Sequence, residues 1–331
     1  PFFIFSPFAV KMKLWKVTPI PGEQMLTENN VSRERPVTLI HHAANCDHEM
    51  PPNSLSALRR CFSAGAAFVE IDIIPLADGS FALLHDPNLV ENTEGRGNAA
   101  QMTRGEVENL HYLYDGAVTN EKVGFLEGAV DLLIQFPTTR RLQLDFKPFS
   151  PLTQSSLHHF LSIIEPVMDR VQLSSVADWA LQALASTAPK LSLGFDPLLY
   201  LDLVEDTPRP ENIPPFRLGA YGLLDDHPLA AYQWGTMGDY FAARASALLV
   251  QAPRGCEWYI RAEILQLVLD SGFDWIGFLH KHDSKVDGWT IDVTQPEQVV
   301  LAQFLVDRGI DKLTTDRPSD LAARLNAEVI L

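Results

Sequence analysis

The stretch Val69-Glu70-Ile71-Asp72-Ile73 alternates apolar and acidic side chains, the pattern of a β-strand with one greasy and one charged face. Glu70 and Asp72 then point the same way, and two bare carboxylates about 4 Å apart repel by roughly 4 kcal/mol at an effective dielectric near 20. Such a pair stays together when something positive lies between them, and a divalent cation is the simplest candidate. Downstream, Asp78-Gly79 is a strong signal for a two-residue hairpin turn, followed by Ser80-Phe81-Ala82-Leu83-Leu84-His85-Asp86. With that turn as the loop, Ala77 pairs with Ser80 and Asp72 falls opposite His85, unless a bulge at Pro75 slips the register by one. Cross-strand partners share a face, so Glu70, Asp72 and His85 are expected in one cluster. The blander alternative is the solvated polar face of an edge hairpin.

Other residues strengthen the cluster. Arg141-Leu142-Gln143-Leu144-Asp145-Phe146-Lys147 repeats the alternation and puts Asp145 and Lys147 on one face. Glu70, Asp72 and Asp145 supply hard oxygen ligands, which suit one Mg²⁺ or Ca²⁺ better than zinc. Three carboxylates against one divalent cation leave about one negative charge, which Lys147 offsets while gripping an anionic substrate. His41, at the end of the apolar run Val37-Thr38-Leu39-Ile40, and His85 suit general acid and base work near neutral pH. A metal-polarised phosphoryl oxygen, one histidine taking a proton and the other giving one, is a complete recipe for cleaving a phosphodiester.

The elements that must position these groups are read from the same periodicities. Strand-like runs begin near residues 37, 69, 142, 171, 191, 247, 288 and 312, and helical spacing fills most gaps, as in Leu55, Leu58 and Phe62 behind an N-cap at Asn53 or Ser54. Strands alternating with helices make a parallel sheet, and eight such units predict an α/β fold, a (β/α)8 TIM barrel with a β-hairpin insertion after the second strand. Residues 1–36 are expected to form an irregular arm and 37–331 a single barrel domain. Within it, 73–115 is the hairpin insertion and 197–240 a long loop, rich in proline and aromatics, that serves as lid or substrate wall. In such barrels function collects at the C-terminal strand ends, where His41, Glu70, Asp72, Asp145, Lys147, Trp289 and Asp316 all fall. Taken singly, Asp316 reads as a helix cap and Trp289 as packing.

Composition sets the bounds. The 331 residues are 46% apolar and 21% charged, with a formal net charge of −16. That field opposes a nucleic acid or an anionic membrane and leaves a small anionic molecule, met by local positive charge, as the expected partner. Cys46, Cys61 and Cys256 are odd in number and widely spaced, without disulfide-framework or zinc-ribbon spacing, and read as reduced thiols of a cytoplasmic protein. The apolar start, Pro1 to Phe8, is broken by two prolines and too short for an integral membrane segment. A chain opening on Pro1 reads as a fragment or processed product, with Met12 as a candidate start. His280-Lys281-His282 reads as a solvated loop, and the oligomeric state is left open.

The chain resembles the glycerophosphodiester phosphodiesterases. Ile40-His41-His42-Ala43 stands for that family's strand ending in His-Arg-Gly, and Pro51-Pro52-Asn53-Ser54 for its Pro-Glu-Asn-Thr. Glu70-Ile71-Asp72, Asp78-Gly79 and His85-Asp86 follow in the same order. Farther on, Asp145-Phe146-Lys147 looks like Glu-Ile-Lys, Trp289-Thr290-Ile291 like Trp-Thr-Val, and Thr315-Asp316-Arg317-Pro318 is the terminal Thr-Asp-x-Pro. The resemblance implies metal-dependent hydrolysis of a glycerophosphodiester to an alcohol and glycerol 3-phosphate, in lipid and glycerol metabolism, by way of a cyclic phosphate that water opens. It implies His41 and His85 as the acid/base pair, Glu70, Asp72 and Asp145 as ligands of one Mg²⁺ or Ca²⁺, and His42, Lys147 and Trp289 as substrate-binding residues. His42 in place of the arginine, Pro52 in place of the first glutamate and Asp145 in place of the second mark a divergent member. The alternatives are a phospholipase of related barrel type, expected to carry an exposed apolar rim on the 197–240 loop, and a non-catalytic phosphodiester-binding barrel.

Overall fold

Period-two alternation fixes which side of each strand is apolar, and the strands obey it by wrapping their greasy faces outward, under helices. The computed structural model describes residues 36–46, 48–148, 150–205 and 213–331, which belong to one compact unit, Arg33–Leu331. Apart from Pro36, the expected N-terminal arm lies outside the described residues. Eight strands form the staves: β1 (Val37–His41), β2 (Phe68–Pro75), β3 (Arg141–Phe146), β4 (Val171–Ser175), β5 (Ser192–Phe195), β6 (Glu257–Arg261), β7 (Val286–Ile291) and β8 (Lys312–Thr315). Each neighbouring pair is parallel, and β1 closes the ring by pairing with β8 (Thr38 with Lys312) and with β2 (His41 with Val69). This is the expected (β/α)8 barrel.

The outward faces build the main core. Leu39, Val69, Ile71, Ile73, Leu142 and Leu144 are fully buried and pack with Leu58 and Phe62 of the helix Leu55–Ser63 and with Leu133 and Phe160 of later helices. Burying each such side chain contributes about 1.5–3 kcal/mol. Leu55–Ser63 forms because Leu58 and Phe62 recur at helical spacing and Ser54 caps it, its Oγ accepting the Ala57 N–H at 3.1 Å. Gly65, at φ +88°, turns the chain out of the helix toward β2.

Two expectations are corrected. The run Ala247-Leu248-Leu249-Val250-Gln251 is the end of a helix, Met237–Gln251, and the sixth stave is Glu257–Arg261. A short apolar run fits a buried strand or one turn of helix equally well. Here Leu248 is buried while Val250 is 84% exposed, so the run has a single buried stripe. In the hairpin, Pro75 pairs with Phe81 and Ile74 with Ala82, and the Leu76 N–H donates to the Ser80 carbonyl at 2.8 Å. The loop is therefore three residues, Ala77-Asp78-Gly79, and extrapolated pairing sets Asp72 against Leu84 rather than His85. A tighter two-residue turn is displaced because Asp78 caps its own loop, its Oδ1 accepting from the Ser80 N–H and Oγ.

Beyond Leu84 the insertion carries a second antiparallel ribbon, His111–Tyr114 with Ala117–Lys122, and a small core of its own around Ile74, Leu84, Leu89, Val107 and Tyr112. After β5 the described residues, up to 205 and from 213 to the helix at Met237, form a segment with only short helical turns. It is pinned by Asp225, whose Oδ2 takes the Arg244 guanidinium at 2.5 Å and the Tyr240 hydroxyl at 2.6 Å, all buried. Among the described residues no helix is long and apolar enough to cross a membrane.

The barrel interior tolerates little change. A Cβ on Gly194 in β5 would sit 2.2 Å from Cε2 of buried Tyr259. Gly194→Ala is therefore expected to lower the unfolding free energy by about 1–3 kcal/mol, read as a reduced midpoint in urea with unchanged slope.

Candidate active site

Strand pleating puts Glu70 and Asp72 of β2 on the inner face, and the β2–β3 register places Asp72 beside Asp145. Oxygens of Glu70, Asp72 and Asp145 all lie within 4.8 Å of one another. Lys147, just past β3, donates from Nζ to Asp72 Oδ1 at 2.9 Å and Asp145 Oδ2 at 2.8 Å. Asn53, at φ +62°, grips Asp72 twice: its Nδ2 donates to Oδ2 and its Oδ1 accepts the Asp72 backbone N–H, both at 2.8 Å. Glu70 Oε2 accepts the Ala43 N–H at 2.7 Å, and Asp145 Oδ1 accepts the Ser174 hydroxyl at 3.2 Å. Glu70, Asp72, Asp145, Lys147 and Ser174 line a cavity of about 330 Å³ at the C-terminal end of the barrel, walled also by Asp196 and Trp289. A second hollow of about 540 Å³ meets it at His42, Asp72 and His85.

The structure brings together Glu70, Asp72, Asp145, Lys147, His42, His85 and Trp289. It leaves His41 out. Ile40 faces the barrel interior beside Gln143 and Tyr259, so His41, the next residue, turns to the outer face. His41 is buried there, and its imidazole lies within 4.8 Å of the Cys46 and Cys61 sulfurs. The imidazole that lines the cavity from this strand end is His42. A one-residue step flips a side chain to the opposite face of a strand, and two adjacent histidines conceal the error. With His42 inside, the neighbouring residue is Ala43, so no side-chain cation follows the histidine here.

Both cavity histidines are oriented by carboxylates, which in ionised form only accept hydrogen bonds. His42 Nδ1 therefore donates to Asp316 Oδ1 at 2.7 Å and His85 Nδ1 to Asp86 Oδ2 at 3.0 Å, which commits Nε2 of each ring to the other side. Burial alone would lower the His42 pKa, but the Asp316 bond and the charges of Glu70 and Asp72 raise it to about 9. The Asp72 charge, then the Asp86 bond, raises His85. Burial and the Asp72 charge push Glu70 up. Burial also works against the Asp72 anion, yet Lys147 and the two imidazoles hold its pKa below the usual range.

Asp316, placed by sequence among the strand-end residues though taken singly it read as a helix cap, is the orienting partner of His42, and one further residue escaped the sequence reading. Asp196 lines the cavity and is raised well above a normal carboxyl pKa, first by burial and then, among other causes, by Asp145. It directly follows the strand that ends at Phe195, so the strand-end rule would have found it.

The glycerophosphoryl diester phosphodiesterase family matches residues 45–192, which hold Glu70, Asp72, His85, Asp145 and Lys147 and stop short of His42 on one side and Trp289 on the other. Over that stretch the chain is similar to that family. Glycerophosphodiester phosphodiesterase 1 of Bos taurus is 28% identical over 123 residues, covering 36% of this chain and 36% of the bovine protein. A glycerophosphodiester phosphodiesterase of Bacillus altitudinis is 25% identical over 133 residues, 39% of this chain and 50% of that protein. The matched stretch thus spans between a third and a half of those relatives. Among solved structures, an Oleispira antarctica phosphodiesterase in complex with the product sn-glycerol-3-phosphate superposes with a TM-score of 0.59 at 19% identity, covering 87% of this chain and 96% of that one. A glycerophosphodiester phosphodiesterase from Parabacteroides distasonis gives 0.61 at 17%, covering 87% and 97%. At those identities the likeness is one of fold.

The His42 shift has a sign. Its pKa is raised above the unfolded value near 6.5, so the stabilisation is complete below about pH 6.5 and is lost as pH rises through about 9. In chelator, wild-type stability should fall across that window by about 1–2 kcal/mol more than that of His42→Gln, after allowance for the half-exposed Asp316. Parallel pH profiles of the two unfolding midpoints would contradict it.

Proposed function

We propose that this protein hydrolyses a glycerophosphodiester to an alcohol and glycerol 3-phosphate. The observation that supports this most is the meeting of three carboxylates, one ammonium and two carboxylate-held imidazoles in one cavity of a barrel similar to this family. The donor set fits a hard divalent cation, because the oxygens of Glu70, Asp72 and Asp145 converge and no sulfur is near. Mg²⁺ or Ca²⁺ held there would polarise a phosphoryl oxygen and add positive charge beside the histidines.

The chain's own groups supply the rest. Lys147 now neutralises Asp72 and Asp145, and with those oxygens shared it offers its ammonium to a phosphate oxygen. His42, backed by Asp316, is placed to take the proton of the attacking hydroxyl at Nε2, and the positive charge of a cation held by the carboxylates would draw its pKa down from about 9 so that the ring is free to accept it. His85, backed by Asp86, gives a proton to the departing alkoxide. Trp289 forms a wall against the glycerol moiety. Asn53 and the Ala43 N–H keep Asp72 and Glu70 from swinging apart.

A second reading of the substrate rests on a specific observation. Phe216, Leu218 and Tyr232 in the 197–240 loop are each about two-thirds exposed, and Trp234 is 41% exposed. Exposed apolar side chains of this kind suit a diester bearing an apolar tail, which would show as faster turnover of micellar than of water-soluble substrates.

Two outcomes are expected in an assay of released glycerol 3-phosphate over a panel of phosphodiesters. Chelation should abolish turnover, with recovery on adding Mg²⁺ or Ca²⁺. His42→Ala and Asp145→Asn should each lower kcat/KM by roughly 10²–10⁴-fold, while His41→Gln stays within a few-fold of wild type. No hydrolysis of any diester with either ion would sink the proposal, and a His41→Gln loss equal to that of His42→Ala would reverse the assignment of the base.

A further inference from the structure

Three soft donors meet on the side of β1 away from the cavity. His41 leaves the end of that strand, Cys46 comes from the loop that follows it, and Cys61 from the second turn of the helix Leu55–Ser63. One ligand atom of each lies within 4.8 Å of the other two. His41 is 6% exposed and Cys61 fully buried, while Cys46 is half-buried and opens the cluster to one side. The decisive feature is His41 Nδ1, a buried polar atom with no hydrogen-bond partner. Leaving such an atom unsatisfied costs about 1–3 kcal/mol, and buried polar atoms are otherwise almost always paired.

We propose that His41, Cys46 and Cys61 form a second metal site, for zinc, distinct from the carboxylate site and independent of the catalytic reading above. Two thiolates and a neutral imidazole are zinc's preferred donors, and they are poor ligands for Mg²⁺ or Ca²⁺. Two thiolates also cancel the ion's charge, so no net charge is buried. Each thiol gives its proton to solvent as its sulfur–zinc bond forms. Tetrahedral zinc holds such donors roughly 3.5–3.8 Å apart, so the cluster closes by about 1 Å, within the reach of side-chain rotation. The fourth position faces the half-buried Cys46 side, where water can fill it. Burial lowers the His41 pKa to about 4, which keeps the imidazole neutral and able to ligate at physiological pH.

The site also bears on the cavity, by position alone. Between His41 and Cys46 lie His42, which lines the cavity, Ala43, whose N–H holds Glu70, and Ala44, whose carbonyl accepts the Cys61 thiol at 3.0 Å. Ala43 and Ala44 both sit in the left-handed region, at φ +49° and +53°, a conformation costly for a residue with a Cβ. Zinc would tie strand end, loop and helix together around that segment.

The test is a Co²⁺ titration of the full, reduced chain in excess Mg²⁺, which keeps the carboxylate site filled. A thiolate-to-cobalt charge-transfer band should grow to about one equivalent, vanish on adding Zn²⁺ and persist in Asp145→Asn. Cys46→Ser and Cys61→Ser should each abolish it. Should Cys61→Ser fail to fold, Cys46→Ser and His41→Gln carry the test, with the thermal midpoint as second readout: zinc raises it in the wild type and in neither variant. Absence of the band in the reduced wild type overturns the proposal, as does a band that survives both cysteine substitutions. A Cys46–Cys61 disulfide in the oxidised protein, with no band after reduction, overturns it as well.

Discussion

The structure depends on one electrostatic conflict, the placement of Asp72 and Asp145 at the same level of adjacent parallel staves with Glu70 one pleat below. Parallel pairing is slightly weaker per residue than antiparallel, and here it brings together charges that repel by several kcal/mol at contact distance. The nearby donors all answer that repulsion. Lys147 bridges the two aspartates, Asn53 takes the far oxygen of Asp72, and the Ala43 N–H takes Glu70. The cost of holding acids this way also accounts for unusual backbone: Asn53 and Ala43 both adopt positive φ to aim their donors inward. The glutamate still cannot be fully ionised at low cost, which is why its pKa rises.

The lower barrel shows how the same fold treats polar groups when no chemistry is asked of them. Lys312 Nζ meets Glu257 Oε1 at 2.6 Å, the Tyr259 hydroxyl donates to that oxygen at 2.7 Å, and the Thr314 hydroxyl donates to Asp287. There each acid has its donor, and the packing leaves Gly194 no room for a methyl group. A few residues higher, Asp72 and Asp145 share the single ammonium of Lys147 and the interior opens into a cavity. The interior thus passes, over two layers of side chains, from acids that each have a donor to three carboxylates gathered within 4.8 Å of one another.

Much of this was legible from period two alone. Alternation gave the inner acids of β2 and β3, and counting strand-like runs gave a closed eight-stave barrel, because both follow from local pattern. The errors came where pattern is degenerate. Ala247 to Gln251 is apolar on both phases, so it reads as a strand although only one stripe is buried. The Asp78-Gly79 turn is ambiguous between two and three loop residues, and the side chain that decides it, Asp78, acts through its own loop. Trp258 and Tyr259 mark the true sixth strand, but Glu257 and Arg261 on either side disguise it as surface. Asp316 could not be told from a helix cap without knowing that His42 faces it.

The His41-His42 pair is the sharpest case, because two identical side chains one residue apart meet opposite environments. On the outer face, burial without a partner lowers the His41 pKa to about 4 and leaves a neutral nitrogen facing sulfur. On the inner face, the Asp316 bond and the acids of β2 outweigh burial and raise His42 to about 9. The two surroundings thus hold the same proton in opposite ways. None of it is intrinsic to histidine. A strand end that separates two chemistries by one peptide bond needs only the pleat to keep them apart, and a one-residue slip of β1 against β2 and β8 would turn His42 away from the acids.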